Sequence, residues 1–289
     1  MDSRVLTLAA ADWRAPGFDP RWVEAVEAGR ILYFPQLAFP LSTQDHALLA
    51  PTLLERGGRN VSLDPLGRVK GAAGDEPVLA QAKALMARFS RHATDLLKGL
   101  FPAYAPHLRP GLVSLRTVQV AGRRQSWRAD DRRLHVDAFP SRPNQGERIL
   151  RVFANIHPGG MPRVWRVGEG FDKAAGRFLP GARPYSAVQA RMLRALRVTK
   201  TLRTEYDHLM LQLHDRLKAD ARYQREAAQE TFAFASGSAW VCFSDQTLHA
   251  AVSGQHMLEQ TFHLPPHRQY NQDASPIAIL TRLQGRSLV

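Results

Sequence analysis

The chain has 289 residues, 44% hydrophobic and 22% charged, enough to bury a full core as one large domain or a core with helical additions. Its single cysteine, Cys242, excludes a disulfide framework and a cysteine-built zinc site, and the apolar run around it points to a buried structural thiol. The net charge of +13 calls for an anionic partner: nucleic acid, an anionic membrane surface or a charged small molecule.

That charge comes from 33 Arg and only 6 Lys, the mark of a GC-rich genome, so its distribution matters more than its total. Ten arginines and no lysine fall between residues 121 and 166. No apolar run approaches the roughly 20 residues that span a bilayer. The N-terminus lacks the longer apolar region of a signal peptide, so a cytoplasmic location is expected.

Taken in order, residues 13–29 read as a short amphipathic helix ended by Gly29, and Ile31–Phe34 as a strand stopped by Pro35. A helix is expected near Thr43–Arg56 and a polar, glycine-rich loop over 57–75. A longer helix follows from Asp75, its cap, to Leu97, ended at Gly99, with Val78, Ala82, Leu85, Phe89 and Leu96 along one stripe. From residue 111 the texture turns to short strands: Leu112–Val120, the stretch around His135, Ile149–Ile156 and Arg163–Val167, separated by loops rich in Pro, Gly and Asn.

Two helices, 185–198 and 202–222, then interrupt the strands. Strands resume at Thr231–Ala235, Ala239–Phe243 and Met257–Leu264, and a last helix covers about 276–284. The expected fold is α+β, an antiparallel jelly-roll or barrel core. Its expected parts are a helical N-terminal region (1–110), a catalytic core (111–270) with a helical insert (185–222), and a C-terminal helix (271–289).

The stretch Arg133-Leu134-His135-Val136-Asp137-Ala138-Phe139-Pro140 organises the rest. Side chains alternate along an extended strand, so His135 and Asp137 share a face. A histidine and a carboxylate so placed are two corners of a 2-His-1-carboxylate metal site, and His249, after the apolar run 239–243, is the candidate third. The plain alternative is a rim histidine hydrogen-bonded to its neighbouring aspartate. His135 and His249 flank the helical insert, and early and late core strands of a jelly roll lie close at its open mouth. His208 and His214, six apart, do not form an i,i+4 ligand pair.

The segments Ile31–Leu37, Arg133–Pro143, Arg148–Pro158 and Pro162–Glu169 together resemble the Kdo 3-hydroxylase family, Kdo being 3-deoxy-D-manno-oct-2-ulosonic acid. The likeness extends over roughly residues 25–270. It implies an Fe(II)- and 2-oxoglutarate-dependent dioxygenase on a double-stranded β-helix (jelly-roll) core, using O2 and with ascorbate as reductant. The implied reaction hydroxylates C3 of Kdo in Kdo-bearing lipid A, giving the sugar Ko. The resemblance carries the metal triad onto His135, Asp137 and His249.

The far carboxylate of 2-oxoglutarate needs a basic clamp, preferably a bidentate arginine. Many relatives place it ten or eleven residues after the distal histidine, where this chain has Glu259 and Gln260. The expected clamp is therefore Arg151, with Arg148 as the alternative, and Asn155 shares the Arg151 face. Arg133, Arg142, Arg163 and Arg166 are the candidates for the sugar carboxylate and lipid phosphates. The expected setting is peripheral, on the cytoplasmic face of the inner membrane of a Gram-negative bacterium. Competing readings are a related oxygenase acting on another anionic lipid or a protein side chain, and a non-catalytic jelly-roll module for anionic glycans. Nucleic acid is not an expected partner, because no helix-turn-helix, zinc finger or aromatic-interleaved basic strand is present.

Overall fold

Two sheets face each other across a layer of aromatic side chains, and helices cover both outer surfaces. The computed structural model describes residues 3–122 and 125–289. In chain order the elements are β1 (Val5–Thr7), α1 (Pro20–Glu27), β2 (Ile31–Phe34), α2 (Thr43–Ala47), β3 (Val61–Leu63), β4 (Val69–Lys70) and α3 (Glu76–Leu100). Then come β5 (Arg109–Arg116), β6 (Arg148–Asn155), β7 (Arg163–Gly168), α4 (Phe171–Phe178), α5 (Ala187–Ala195), α6 (Glu205–Ala219) and α7 (Ala221–Glu226). The chain closes with β8 (Gln229–Phe234), β9 (Ser238–Phe243), β10 (His249–Ser253), β11 (Met257–Leu264) and α8 (Pro276–Gln284).

The major sheet runs β1-β2-β9-β6-β11-β5-β3-β4 and the minor sheet β10-β7-β8. All pairs are antiparallel except β1 with β2. Strand alternation divides the side chains cleanly. Phe153, Trp240, Cys242 and Met257 of the major sheet meet Trp165, Val167 and Phe234 of the minor sheet between the layers. Trp240 stacks on Phe153 and Phe234 at centroid distances of 5.2 and 4.2 Å. The residues between them, Leu150, Val152, Ala154, Val241 and Leu258, point outward under α3. On the minor sheet's outer side, Leu134, Val136, Leu248 and Ala250 pack against α4, α6 and α8. Each large apolar side chain so buried contributes about 1.5–3 kcal/mol relative to exposure.

The structure revises several expected boundaries. The helix beginning at Thr43 stops at Ala47 rather than Arg56, with Pro51 opening a separate 3-10 turn. The expected loop at 57–75 contains the hairpin β3–β4, whose first strand joins β5. Residues 1–110 thus supply four strands to the major sheet in addition to α3. Gly99 does not end α3, which runs one residue past it; a Cβ there would collide with the carbonyl oxygen of Pro16, so the glycine serves close packing. The helical insert starts earlier than expected, at Phe171, and its last helix divides at Asp220, which caps α7. Cys242 is fully buried, and its burial pushes the thiol up, as expected of a structural residue.

Candidate metal centre

His135 does not lie in a continuous strand. It makes a single antiparallel bridge to His249, the first residue of β10. The two exchange backbone hydrogen bonds, N–H of each to the carbonyl of the other, at 3.0 and 2.9 Å. Directly opposed residues of an antiparallel pair project to the same face, so rings 114 residues apart in sequence come to 4.6 Å between centroids. Asp137 is fixed two residues on by its N–H donating to the Ser244 carbonyl at 2.8 Å. One candidate ligand atom from each of His135, Asp137 and His249 lies within 4.8 Å of the others.

The ring orientations suit a metal. Nδ1 of His135 lies 2.7 Å from the Arg133 carbonyl, and Nδ1 of His249 lies 2.8 Å from the Thr247 carbonyl. A carbonyl only accepts, so each Nδ1 carries the proton and Nε2 is left as the ligand atom. The His249 ring is held flat against Trp165, at 5.0 Å and 25°. Burial, with His249, Lys218 and His214 nearby, holds the His135 imidazolium well below the usual histidine range, so the ring is neutral. Burial pushes the Asp137 carboxyl up, but Arg151, His249, His135 and a hydrogen bond from Ser244 prevail and keep it far below the usual carboxylate range.

Two nitrogens and a carboxylate, with no thiolate, form the donor set of a non-haem Fe(II) site. Asp137 Oδ2 is buried with no hydrogen bond, although Arg151 Nη1 stands 3.1 Å away. A carboxylate oxygen left without a donor in such a place fits a cation ligand. His135, Asp137 and His249 therefore fit Fe(II) as the three ligands that would hold it.

Around the triad runs a buried ionic chain. Arg151, on β6, projects into the barrel on the face of Phe153, and its Nη1 contacts both Asp137 Oδ2 at 3.1 Å and Glu259 Oε1 at 3.2 Å. Arg151 Nε has no hydrogen-bond partner, and the ring of Phe139 lies 5.8 Å from the guanidinium. Glu259, on β11, also accepts from Arg116 Nε of β5 at 3.0 Å. Burial raises the Glu259 carboxyl, and Arg116 and Arg151 outweigh it, so the residue stays ionised. Two cations share one anion here.

The other expected site residues are placed variously. Arg148 projects to the opposite face of β6, fully buried, bound to Asp245 and Gln246 and stacked 3.8 Å over Phe243. Asn155 is on the Arg151 face, but its amide donates to the Met161 and Phe234 carbonyls and accepts from the His157 N–H. Arg163 also faces the interior of the barrel, with Nη1 donating to the Gly254 carbonyl at 3.3 Å. Arg166 faces outward from β7 and donates to the carbonyls of Gln224 and Arg132; Arg133 donates to that of Lys218. Arg142 is exposed, on the loop just past Phe139. His256 stands apart from the triad, against His157 at 4.9 Å.

Four residues stand near the site where the sequence did not place them: Arg116, Glu259 as an ion-pair partner, His214, considered only as a partner of His208, and Lys218. His214, on α6, sets its ring edge-on to His135 at 5.2 Å and donates from Nδ1 to the Val136 carbonyl. Lys218, one turn on, is buried and donates to the Arg128 carbonyl. For Arg116 and Glu259 the signal was present, since strand parity puts them on the Arg151 face. For the helix residues it was not, because nothing local says where α6 docks.

No curated protein sequence matches the chain. The sequence profile of the family described as 3-deoxy-D-manno-oct-2-ulosonic acid (Kdo) hydroxylase matches residues 11–287. Among solved structures, the chain is similar to the Kdo hydroxylase KdoO, a non-heme Fe(II) alphaketoglutarate-dependent dioxygenase, in complex with cobalt(II). Identity is 40% and the TM-score 0.96, covering 99% of this chain and 98% of that one. KdoO with alphaketoglutarate and Fe(III) matches at 40% identity and TM-score 0.95, covering 99% and 97% of the two chains. KdoO with succinate and Fe(III) matches at 40% and 0.95, covering 99% and 98%. The triad thus sits on the double-stranded β-helix of the non-haem Fe(II), 2-oxoglutarate-dependent oxygenases, and the chain belongs to the Kdo hydroxylase family.

Proposed function

We propose that this protein is an Fe(II)- and 2-oxoglutarate-dependent dioxygenase that hydroxylates C3 of Kdo in Kdo-bearing lipid A, giving Ko. The observation that carries the reading is the convergence of His135, Asp137 and His249, both rings oriented by backbone carbonyls, in a chain matched by this family along nearly its whole length. When bound, Fe(II) with 2-oxoglutarate and O2 supplies the oxidising power, releasing succinate and CO2 as one oxygen enters the substrate.

The chain's own residues set the conditions. Asp137 is held ionised and His135 neutral, so the site presents its metal-binding protonation state without an energetic cost at neutral pH. Arg151 takes the 2-oxoglutarate carboxylate: it is the cation nearest the triad, it stays protonated against burial, and its Nε lacks a partner. Glu259 keeps Arg151 and Arg116 from repelling each other before the anion arrives. Arg142, exposed beyond Phe139, is the candidate for the sugar carboxylate, and Arg163, inside the barrel, is a second. Arg148, Asn155, Arg133 and Arg166 are tied into the fold. Among the described residues no helix is long and apolar enough to cross a membrane.

The test is mass spectrometry of Kdo-bearing lipid A incubated with enzyme, Fe(II), 2-oxoglutarate and air. One added oxygen on a Kdo residue is expected, and its loss together with Co(II) binding in His135→Ala, Asp137→Ala and His249→Ala. Full turnover by His249→Ala would remove the triad from the proposal. An unmodified lipid with 2-oxoglutarate still consumed would leave an oxygenase with another substrate.

A further inference from the structure

We infer that the outer face of α5 and the turn after it form a docking surface for an anionic lipid bilayer. This rests on the reading above that the sugar is lipid-borne, and deepens it by naming the surface. α5 has two apolar faces where a helix of a globular core needs one. At about 100° per residue, Ala190 and Leu193 fall together and are turned inward, Ala190 being 2% exposed. Val188, Met192 and Leu196 fall together on the other side and are 75%, 53% and 67% exposed. Val198 and Leu202 extend the patch, at 53% and 43%. These five supply nearly half of the exposed large apolar side chains among the described residues, within fifteen positions.

Charge says what covers that face. Between Asp172 and Glu205 the sequence has no acidic residue, while Arg183, Arg191, Arg194, Arg197, Lys200 and Arg203 cluster on and around α5. Apolar side chains bordered by cations and free of anions match the boundary between acyl chains and anionic headgroups. A soluble acidic protein would match the charge but not the apolar patch that the cations border. The backbone also links this surface to the site. Lys200 N–H donates to the Ser141 carbonyl, Thr201 Oγ1 to that of Pro143 and Arg203 Nη2 to that of Pro140. The docked turn therefore braces the loop that carries Arg142 and follows Phe139, beside Arg151. A bilayer seated here brings its headgroups to the edge of the metal centre.

The test is co-sedimentation of the full chain with vesicles of phosphatidylcholine alone or mixed with phosphatidylglycerol. Binding is expected only to the mixed vesicles, with release by high salt. The triple variant Arg191→Gln, Arg194→Gln, Arg197→Gln should lower partitioning roughly a hundredfold. The triple variant Val188→Ser, Met192→Ser, Leu196→Ser should lower it at least roughly tenfold. Unchanged Co(II) binding and thermal unfolding in both variants show that the fold is intact. Equal binding by wild type and variants, no binding by wild type, or loss of self-association in the Ser variant in place of vesicle release would overturn the inference. Hydroxylation of detergent-dispersed Kdo-bearing lipid separates the two readings. If the lipid is modified and vesicle binding ignores the substitutions, the docking surface fails alone. If it is not modified and the substitutions abolish vesicle binding, the substrate fails alone.

Discussion

Arg148 and Arg151 are the same residue type, three positions apart on β6, both buried, both against carboxylates, and they do different things. An odd separation along a strand reverses the face. Arg148 points outward under the N-terminal layer, where Asp245, Gln246 and the ring of Phe243 enclose it. Gln246 in turn donates to the carbonyls of Glu27 and Ala274, so the knot ties α1 and the segment before α8 to the major sheet. Arg151 points inward to Asp137 and Glu259, beside the metal ligands. The acids differ in the same sense. Burial lifts the Asp245 carboxyl against the pull of Arg148, whereas the charges around Asp137 hold it low. One arginine ties elements of the fold together, and the other stands against the candidate metal ligand Asp137.

The comparison is broken first by removing Arg148. Taking one partner from a buried pair leaves an uncompensated charge and costs about 3–5 kcal/mol. Arg148→Ala should lose that much in denaturant unfolding, with Co(II) still bound by whatever folds. A loss below about 1 kcal/mol would mean the pair is not what ties these layers. The next largest effect is on the other arginine. Truncating a charge-assisted contact to a buried anion costs on the order of 2–5 kcal/mol. Arg151→Ala should therefore raise the apparent 2-oxoglutarate constant well over tenfold and leave the constant for the Kdo lipid nearly unchanged. Co(II) titration of the same variant controls for its contact with Asp137. If folded Arg148→Ala shows the 2-oxoglutarate defect and Arg151→Ala does not, the roles are exchanged.

What the sequence showed and hid follows from the same parity. The strand at β6 was readable, so the face shared by Arg151 and Phe153 was too. The three candidates were readable because His135 and Asp137 are local and His249 follows an apolar core run, and the resemblance carried the triad onto the same residues. The irregular backbone at His135, which is one bridge and not a strand, was not, since the bridge depends on a partner 114 residues away. The hairpin at 61–70 was hidden by glycine and proline, which mark its turn as well as a loop. Placing His214 and Lys218 beside the metal centre needed the docking of α6 on Leu134 and Val136, a tertiary fact. Asn155 shows the limit of parity: it is on the right face, but the turn after β6 and the end of β8 take up its amide.

The smallest expected effect sharpens a second comparison, between two histidine pairs. His135 and His249 have their Nδ1 atoms satisfied by carbonyls and a carboxylate beside them. His157 and His256 stack 4.9 Å apart with no acid between them; His157 Nδ1 accepts from the Gly159 N–H, and His256 Nδ1 is buried without a partner. Burial, and then His157, lower His256 to about 4. As pH falls through the ordinary histidine value near 6.5, the unfolded chain takes up a proton that the folded chain refuses until about pH 4. The residue's contribution to stability is thus full above about pH 6.5, falls between there and about pH 4, and is then constant. Solvent screens part of the shift, leaving on the order of 1–2 kcal/mol. Asparagine tolerates the backbone φ of 55° at this position. Metal-free His256→Asn should therefore lose that part of the acid slope, its melting temperature gaining on wild type between pH 6.5 and 4. Parallel curves over that interval would show that His256 is already protonated in the fold.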